Sequence, residues 1–207
     1  MWNNNQIKLN RLEETIIQKT QEIKQNKILF YGSSTFTLWG DQMLLDMMPY
    51  DVVNNGFGGS TAEEALYYYS RMVKPFRPKA LVYYEGDNDS EFDFSAQEIL
   101  TRFVQLINWV RTDFENIPII CLAVKYCPSR EKTYGKRNQI NEELKKYTET
   151  NSGMFFVDTN LISMNADKTY RKENFMDDLL HFNSSGNKEL SRLIKEKLDS
   201  LKTSNII

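Results

Sequence analysis

Five short apolar runs constrain this chain more than any other feature. They are KILFYG (27–32), DVVNNG (51–56), ALVYYEG (80–86), PIICLAV (118–124) and GMFFVD (153–158). None is long enough for a buried helix, and none alternates strictly between apolar and polar residues. Such runs read as strands covered on both faces. Helical patterns lie between them. STAEEALYYYSRM (60–72) opens on a capping-box pattern, Ser60 with Glu63. SAQEILTRFVQLINWVRTDF (95–114) is strongly periodic, QINEELKKYTET (139–150) has a polar face, and NKELSRLIKEKLDSLK (187–202) closes the chain. Ahead of the first run, Ile7, Leu9, Leu12, Ile16, Ile17 and Ile23 recur at helical spacing, which predicts an amphipathic helix over 7–25.

Strands alternating with helices imply an α/β fold. The expectation is a three-layer α/β/α, flavodoxin-like architecture, with a mainly parallel five-stranded sheet and helices on both faces. A length of 207 residues without internal repeat or linker predicts one domain over 1–207, its first 26 residues forming the N-terminal helix. In such sheets ligands gather beyond the carboxyl ends of the strands.

The unusual residues cluster at those ends. Gly32-Ser33-Ser34-Thr35 follows the first run, and Asn54-Asn55-Gly56-Phe57-Gly58-Gly59-Ser60 the second. Gly86-Asp87-Asn88-Asp89 follows the third, and Asp177-Asp178-Leu179-Leu180-His181 precedes the last helix. Taken singly, each is an ordinary turn, cap or surface segment. Together they supply every part of an acyl transfer. A serine hydroxyl needs a base, and His181 is the single histidine in the chain. The base needs a carboxylate to orient it, and Asp178 lies three residues earlier. The developing oxyanion needs donors placed in advance. The Gly58-Gly59 backbone, the Asn88 amide and the N–H of the nucleophile itself are available for that. Pattern alone does not choose between Ser33 and Ser34, or between Asp177 and Asp178. Asp87 and Asp89 read as turn-forming residues.

These segments also carry a resemblance to the SGNH, or GDSL-type, hydrolases. FYGSST matches the first block with Ser34 at the nucleophile position, two residues after the glycine. NNGFGGST matches the second with Gly59 as the oxyanion glycine, and GDND the third with Asn88 as the oxyanion asparagine. DLLH matches the last, with Asp178 and His181 completing the triad. The blocks fall in order over residues 27–186. The likeness is closest to a bacterial subgroup with GSS in the first block. Ser33 and Thr35 stand where the GDSL pattern has aspartate and leucine. The CPSR segment (127–130) is similar to a Pro-Ser-Arg stretch in the subgroup, and Arg130 is expected at the surface, with a place near the crevice as the alternative.

The resemblance implies hydrolysis of an ester or thioester through an acyl-serine, on a small acyl-ester substrate and with neither metal nor organic cofactor. The family's range runs over acetylated sugars, small and short-chain acyl esters, lysophospholipids and thioesters. The lack of a long apolar insert favours short or soluble esters. Two other readings compete: a hydrolase fold that binds an acylated ligand or a partner without turnover, and a flavodoxin-like phosphate or flavin module with GSST at a helix start.

Bulk properties narrow the partners. A net charge of −2 offers no basic surface for nucleic acid. The opening MWNNNQIKLNRLEE has no signal-peptide core, and the longest apolar run, IPIICLAV, is too short to cross a bilayer. A cytoplasmic protein is expected, with Cys121 and Cys127 as free thiols. The N-terminal helix could pack on its own domain or on a second subunit, so a homo-oligomer stays open.

Overall fold

The structure is a computed structural model and describes residues 2–204. All five apolar runs form strands: β1 (Ile28–Gly32), β2 (Val52–Gly56), β3 (Ala80–Tyr84), β4 (Ile119–Leu122) and β5 (Met154–Val157). They pair in parallel in the order β2-β1-β3-β4-β5. The order reverses at β1, which places a crevice beyond the carboxyl ends of β1 and β3. Among the described residues eight α-helices accompany the sheet: α1 (Trp2–Thr20), α2 (Ser34–Trp39), α3 (Gln42–Asp46), α4 (Ala62–Met72), α5 (Ala96–Phe114), α6 (Tyr134–Thr150), α7 (Asn160–Ser163) and α8 (Ser184–Thr203).

Successive strand residues point to opposite faces, and the core divides accordingly. Leu29, Tyr31, Leu81, Tyr83, Ile119 and Cys121 pack on one side with α1, α4, α5 and α6. Ile28, Phe30, Val82, Tyr84, Ile120 and Leu122 pack on the other with α2, α3, α7 and α8. The three-layer expectation therefore holds. No described helix is long and apolar enough to cross a membrane. Cys121 and Cys127 are buried and unpaired.

Some boundaries differ from those expected. The first helix ends at Thr20 and not at residue 25. Leu12 and Ile16, one turn apart, enter the core, whereas Leu9, Ile17 and Ile23 are exposed. The side chain of Ile7 lies outside the described residues. α6 begins at Tyr134, ahead of the expected 139, and α8 at Ser184, where Asn183 accepts the N–H groups of Ser185 and Gly186. The capping box of α4 is shifted by one residue. Thr61 is the cap and Glu64 its partner, because the Ser60 hydroxyl is spent on buried Glu85 at 2.6 Å.

Candidate active site

The first strand ends where two backbones almost touch. A Cβ on Gly32 would lie 1.9 Å from the Tyr84 carbonyl oxygen, so only glycine fits. The Ser33 N–H then donates to that oxygen at 3.2 Å, and its buried hydroxyl has no partner. Ser34 opens α2 and is partly exposed. Its Oγ lies 2.9 Å from His181 Nε2. Of the two adjacent serines, Ser34 is therefore the one brought to the imidazole.

His181 sits in a tight loop held at both ends. Phe175 and Phe182 bridge antiparallel, and the Met176 N–H donates to the His181 carbonyl at 2.8 Å. Leu179 turns the corner with φ +53, an uncommon conformation for a branched residue. Asp178 stabilises that corner by accepting the N–H groups of Leu180 at 2.9 Å and His181 at 3.0 Å. Its second oxygen meets His181 Nδ1 at 2.6 Å. Partial burial pushes the Asp178 carboxyl up. The hydrogen bonds from the ring and from the two N–H groups outweigh this and bring it down to about 2. Asp177 is exposed, and the ring is bonded to Asp178 instead.

Two further motifs border the same edge. Gly59 has φ +84, a conformation that glycine adopts without strain. Asn88 donates from Nδ2 to the Ser60 carbonyl at 2.8 Å, which ties the third motif to the second. An amide nitrogen carries two protons, so one remains for a ligand. Asp89 accepts the Ala62 N–H through both oxygens and so caps α4. A proton can pass from Ser34 to His181 in this arrangement, with amide donors on adjoining loops.

The profile of the GDSL-like lipase/acylhydrolase family matches residues 28–189. The chain belongs to this family. Membership supports ester hydrolysis in general and displaces the phosphate or flavin module. Solved structures agree in fold. A Streptococcus pneumonia protein, provisionally a platelet activating factor, superposes with a TM-score of 0.84 at 20% identity over 95% of this chain and 97% of its own. A provisional acylhydrolase from Bacteroides fragilis gives 0.79 at 20% identity, over 91% and 96%. A GDSL-like lipase from Bacteroides thetaiotaomicron gives 0.77 at 15% identity, over 91% and 97%. No curated protein matches the chain.

Beneath the motifs of this acylhydrolase lies a charge cluster that the sequence reading missed. Asp87 is buried and surrounded by three cations. Lys125 binds Oδ2, while Arg130 and Arg137 each reach Oδ1 at 2.8 Å. The Tyr84 hydroxyl adds a bond of 3.0 Å. Burial would raise the Asp87 carboxyl, but Lys125, Arg137 and Arg130 hold it well below the usual carboxylate range. Lys125 also donates to Thr35 Oγ1 at 3.3 Å, joining the first motif to the third. Of the two places expected for Arg130, the structure gives the one beside the Asn88 loop and not the surface, since its side chain is only 17% exposed. Its neighbour Ser129 donates from both N–H and Oγ to the Leu179 carbonyl. The CPSR segment thus clasps the His181 loop with one residue and the Asn88 loop with the next. A lysine directly after the run PIICLAV was the one visible signal of this cluster.

Phe36, Trp39, Phe57, Tyr84 and Phe182 are core residues. Phe92 is 51% exposed.

Proposed function

We propose that this family member is a serine esterase. Ser34 is the nucleophile, His181 the general base and Asp178 the group that orients it. The oxyanion is held by the N–H groups of Ser34 and Gly59 and by the Asn88 amide. One observation carries this reading: His181 lies between Ser34 Oγ at 2.9 Å and Asp178 Oδ2 at 2.6 Å, using both ring nitrogens.

The chemistry follows. Nε2 takes the Ser34 proton as Oγ attacks the ester carbonyl carbon. The carbonyl oxygen becomes an anion, met by donors already aimed at it. The alkoxide leaves with the proton from the imidazolium, and acyl-Ser34 remains. Water then attacks the acyl carbon, His181 takes its proton, and Ser34 is released with the free acid. The Asp178 carboxylate keeps Nδ1 protonated in the resting state and stabilises the imidazolium as it forms.

The substrate we propose is an ester with a short acyl chain, such as acetyl or butyryl. Phe36, Tyr84 and Phe182 are at most 2% exposed and are spent on core packing, so none of the three is free to line a site for a long acyl chain. A fluorophosphonate probe tests the reading. The adduct is expected on the Ser34 peptide and is lost in Ser34→Ala and His181→Ala; an adduct on Ser33 sinks the assignment. Acetyl, butyryl and octanoyl esters then test acyl length, and preference for octanoyl overturns the short-chain proposal.

A further inference from the structure

Two arginines outside the four motifs hold the oxygen ends of two amides. Arg130 Nη2 donates to Asn88 Oδ1 at 3.1 Å. Its Nη1 donates to the Asp87 carbonyl at 2.7 Å and to Asp87 Oδ1 at 2.8 Å. A guanidinium has no acceptor, so the Asn88 carboxamide takes one orientation only. Its oxygen faces Arg130 and its nitrogen faces the Ser60 carbonyl, with one proton spare.

The second case is a backbone amide. Arg11, on α1, donates from Nη2 to the Gly58 carbonyl at 3.1 Å. The Gly58-Gly59 peptide is trans, so its carbonyl and the Gly59 N–H point in opposite directions. Holding the oxygen toward α1 turns that N–H away from it. Arg11 Nη2 also sits 2.5 Å from where a Cβ on Gly59 would be, in space that only glycine leaves open. Both arginines lie outside the four motifs, and α1 precedes residue 28, where the family match begins.

We infer that Arg11 and Arg130 are positioning residues for the oxyanion donors. Each grips the oxygen of one amide, aims its N–H at the developing charge and strengthens it as a donor by polarising the amide. Neither touches the reacting atoms. The inference rests on the roles proposed above for Ser34, Gly59 and Asn88. Arg130 is nearly enclosed and part of a buried cluster, whereas Arg11 is exposed and screened by water. Arg130 therefore has the larger effect.

The test reads the rate of Ser34 labelling by a fluorophosphonate together with kcat and KM on p-nitrophenyl acetate. Arg130→Ala is expected to lower labelling and kcat by roughly 10- to 100-fold, with KM within about 3-fold. Arg11→Ala is expected to lower both by roughly 3- to 10-fold. In an Asn88→Ala background, Arg130→Ala adds no further loss, because the amide it serves is gone. If Arg130→Ala does not fold, Arg130→Lys carries the same comparison, since it keeps the charge on Asp87 and loses the fork. Arg71→Ala removes the bond between α4 and Glu13 of α1 and leaves labelling unchanged, which separates Arg11 from mere docking of α1. A loss from Arg130→Ala that is equal in both backgrounds, or a loss confined to KM, overturns the inference while Ser34 labelling stands. Absence of label on Ser34 in the wild type overturns the catalytic reading and the inference with it.

Discussion

Asp178 and His181 are joined twice. Oδ2 of the carboxylate meets ring Nδ1 at 2.6 Å, and Oδ1 accepts the backbone N–H of the same histidine at 3.0 Å. The carboxylate therefore fixes both the imidazole and the chain that carries it.

Asp178→Asn tests that double role. The amide can still accept the backbone N–H, but it presents no second acceptor with charge to the ring. Esterase activity is expected to fall by about 10²- to 10⁴-fold, with the melting temperature little changed. The carboxyl is held at about 2, so the contact is intact above the ordinary carboxylate value and is lost as pH falls toward 2. An acid limb of the activity profile above pH 4 thus belongs to another group. Carboxyl NMR checks this, and an Asp178 midpoint above 4 contradicts it.

Ser34→Ala and Ser33→Ala should part company. Loss of Ser34 removes the hydroxyl that meets the imidazole and should cost several orders of magnitude in turnover. Ser33→Ala deletes a buried hydroxyl without a partner. Stability is expected to hold or to rise by up to ~1 kcal/mol, since an unsatisfied polar group is removed. Urea titrations and steady-state kinetics on both variants give the comparison.

Asp87→Asn leaves Lys125, Arg130 and Arg137 converging on a neutral amide. Breaking a buried ion cluster by removing one sign typically costs about 3–5 kcal/mol. Chemical denaturation should report a loss of that order. The native Asp87 carboxyl lies below its unfolded value, so this stabilisation is present at neutral pH and declines only in acid. A variant as stable as the parent at pH 7 refutes the role of the cluster.

Glu85 has the opposite sign. Burial, then the charge of Asp89, raise its carboxyl well above the ordinary value, and its Oε2 has no partner. A raised native value means stability that is full below the unfolded value and is lost as pH rises through the native one. Glu85→Gln keeps an oxygen for the Ser60 hydroxyl and carries no charge. The variant should gain on the wild type as pH rises above the ordinary carboxylate value, measured by thermal melts. Parallel pH curves for the two proteins count against a raised Glu85 carboxyl.

What the sequence disclosed follows physical range. Ser34, Gly59, Asn88 and His181 each sit in a short segment with a local signature, and Asp178 acts over three residues. The cation cluster was hidden because Lys125, Arg130 and Arg137 meet Asp87 across separations of 38, 43 and 50 residues. Asp87 in GDND accordingly looked like a turn residue. The capping box was misplaced for a related reason. Ser60 with Glu63 and Thr61 with Glu64 are equivalent patterns, and Glu85, far along the chain, decides between them. The strands were legible throughout, because runs covered on both faces admit few alternatives. The short α2 and α3 carry too few residues to show a period.

Gly32 stands in register with both Gly56 and Tyr84, so the loops bearing Ser34, Gly59 and Asn88 spring from one hydrogen-bonded ledge. His181 rides on a separate loop, moored to the Phe175–Phe182 bridge and to Ser129. Warming should therefore loosen the histidine before the ledge. The consequence is a heat-silenced enzyme that keeps its shape, with activity fading below the melting temperature and returning on cooling.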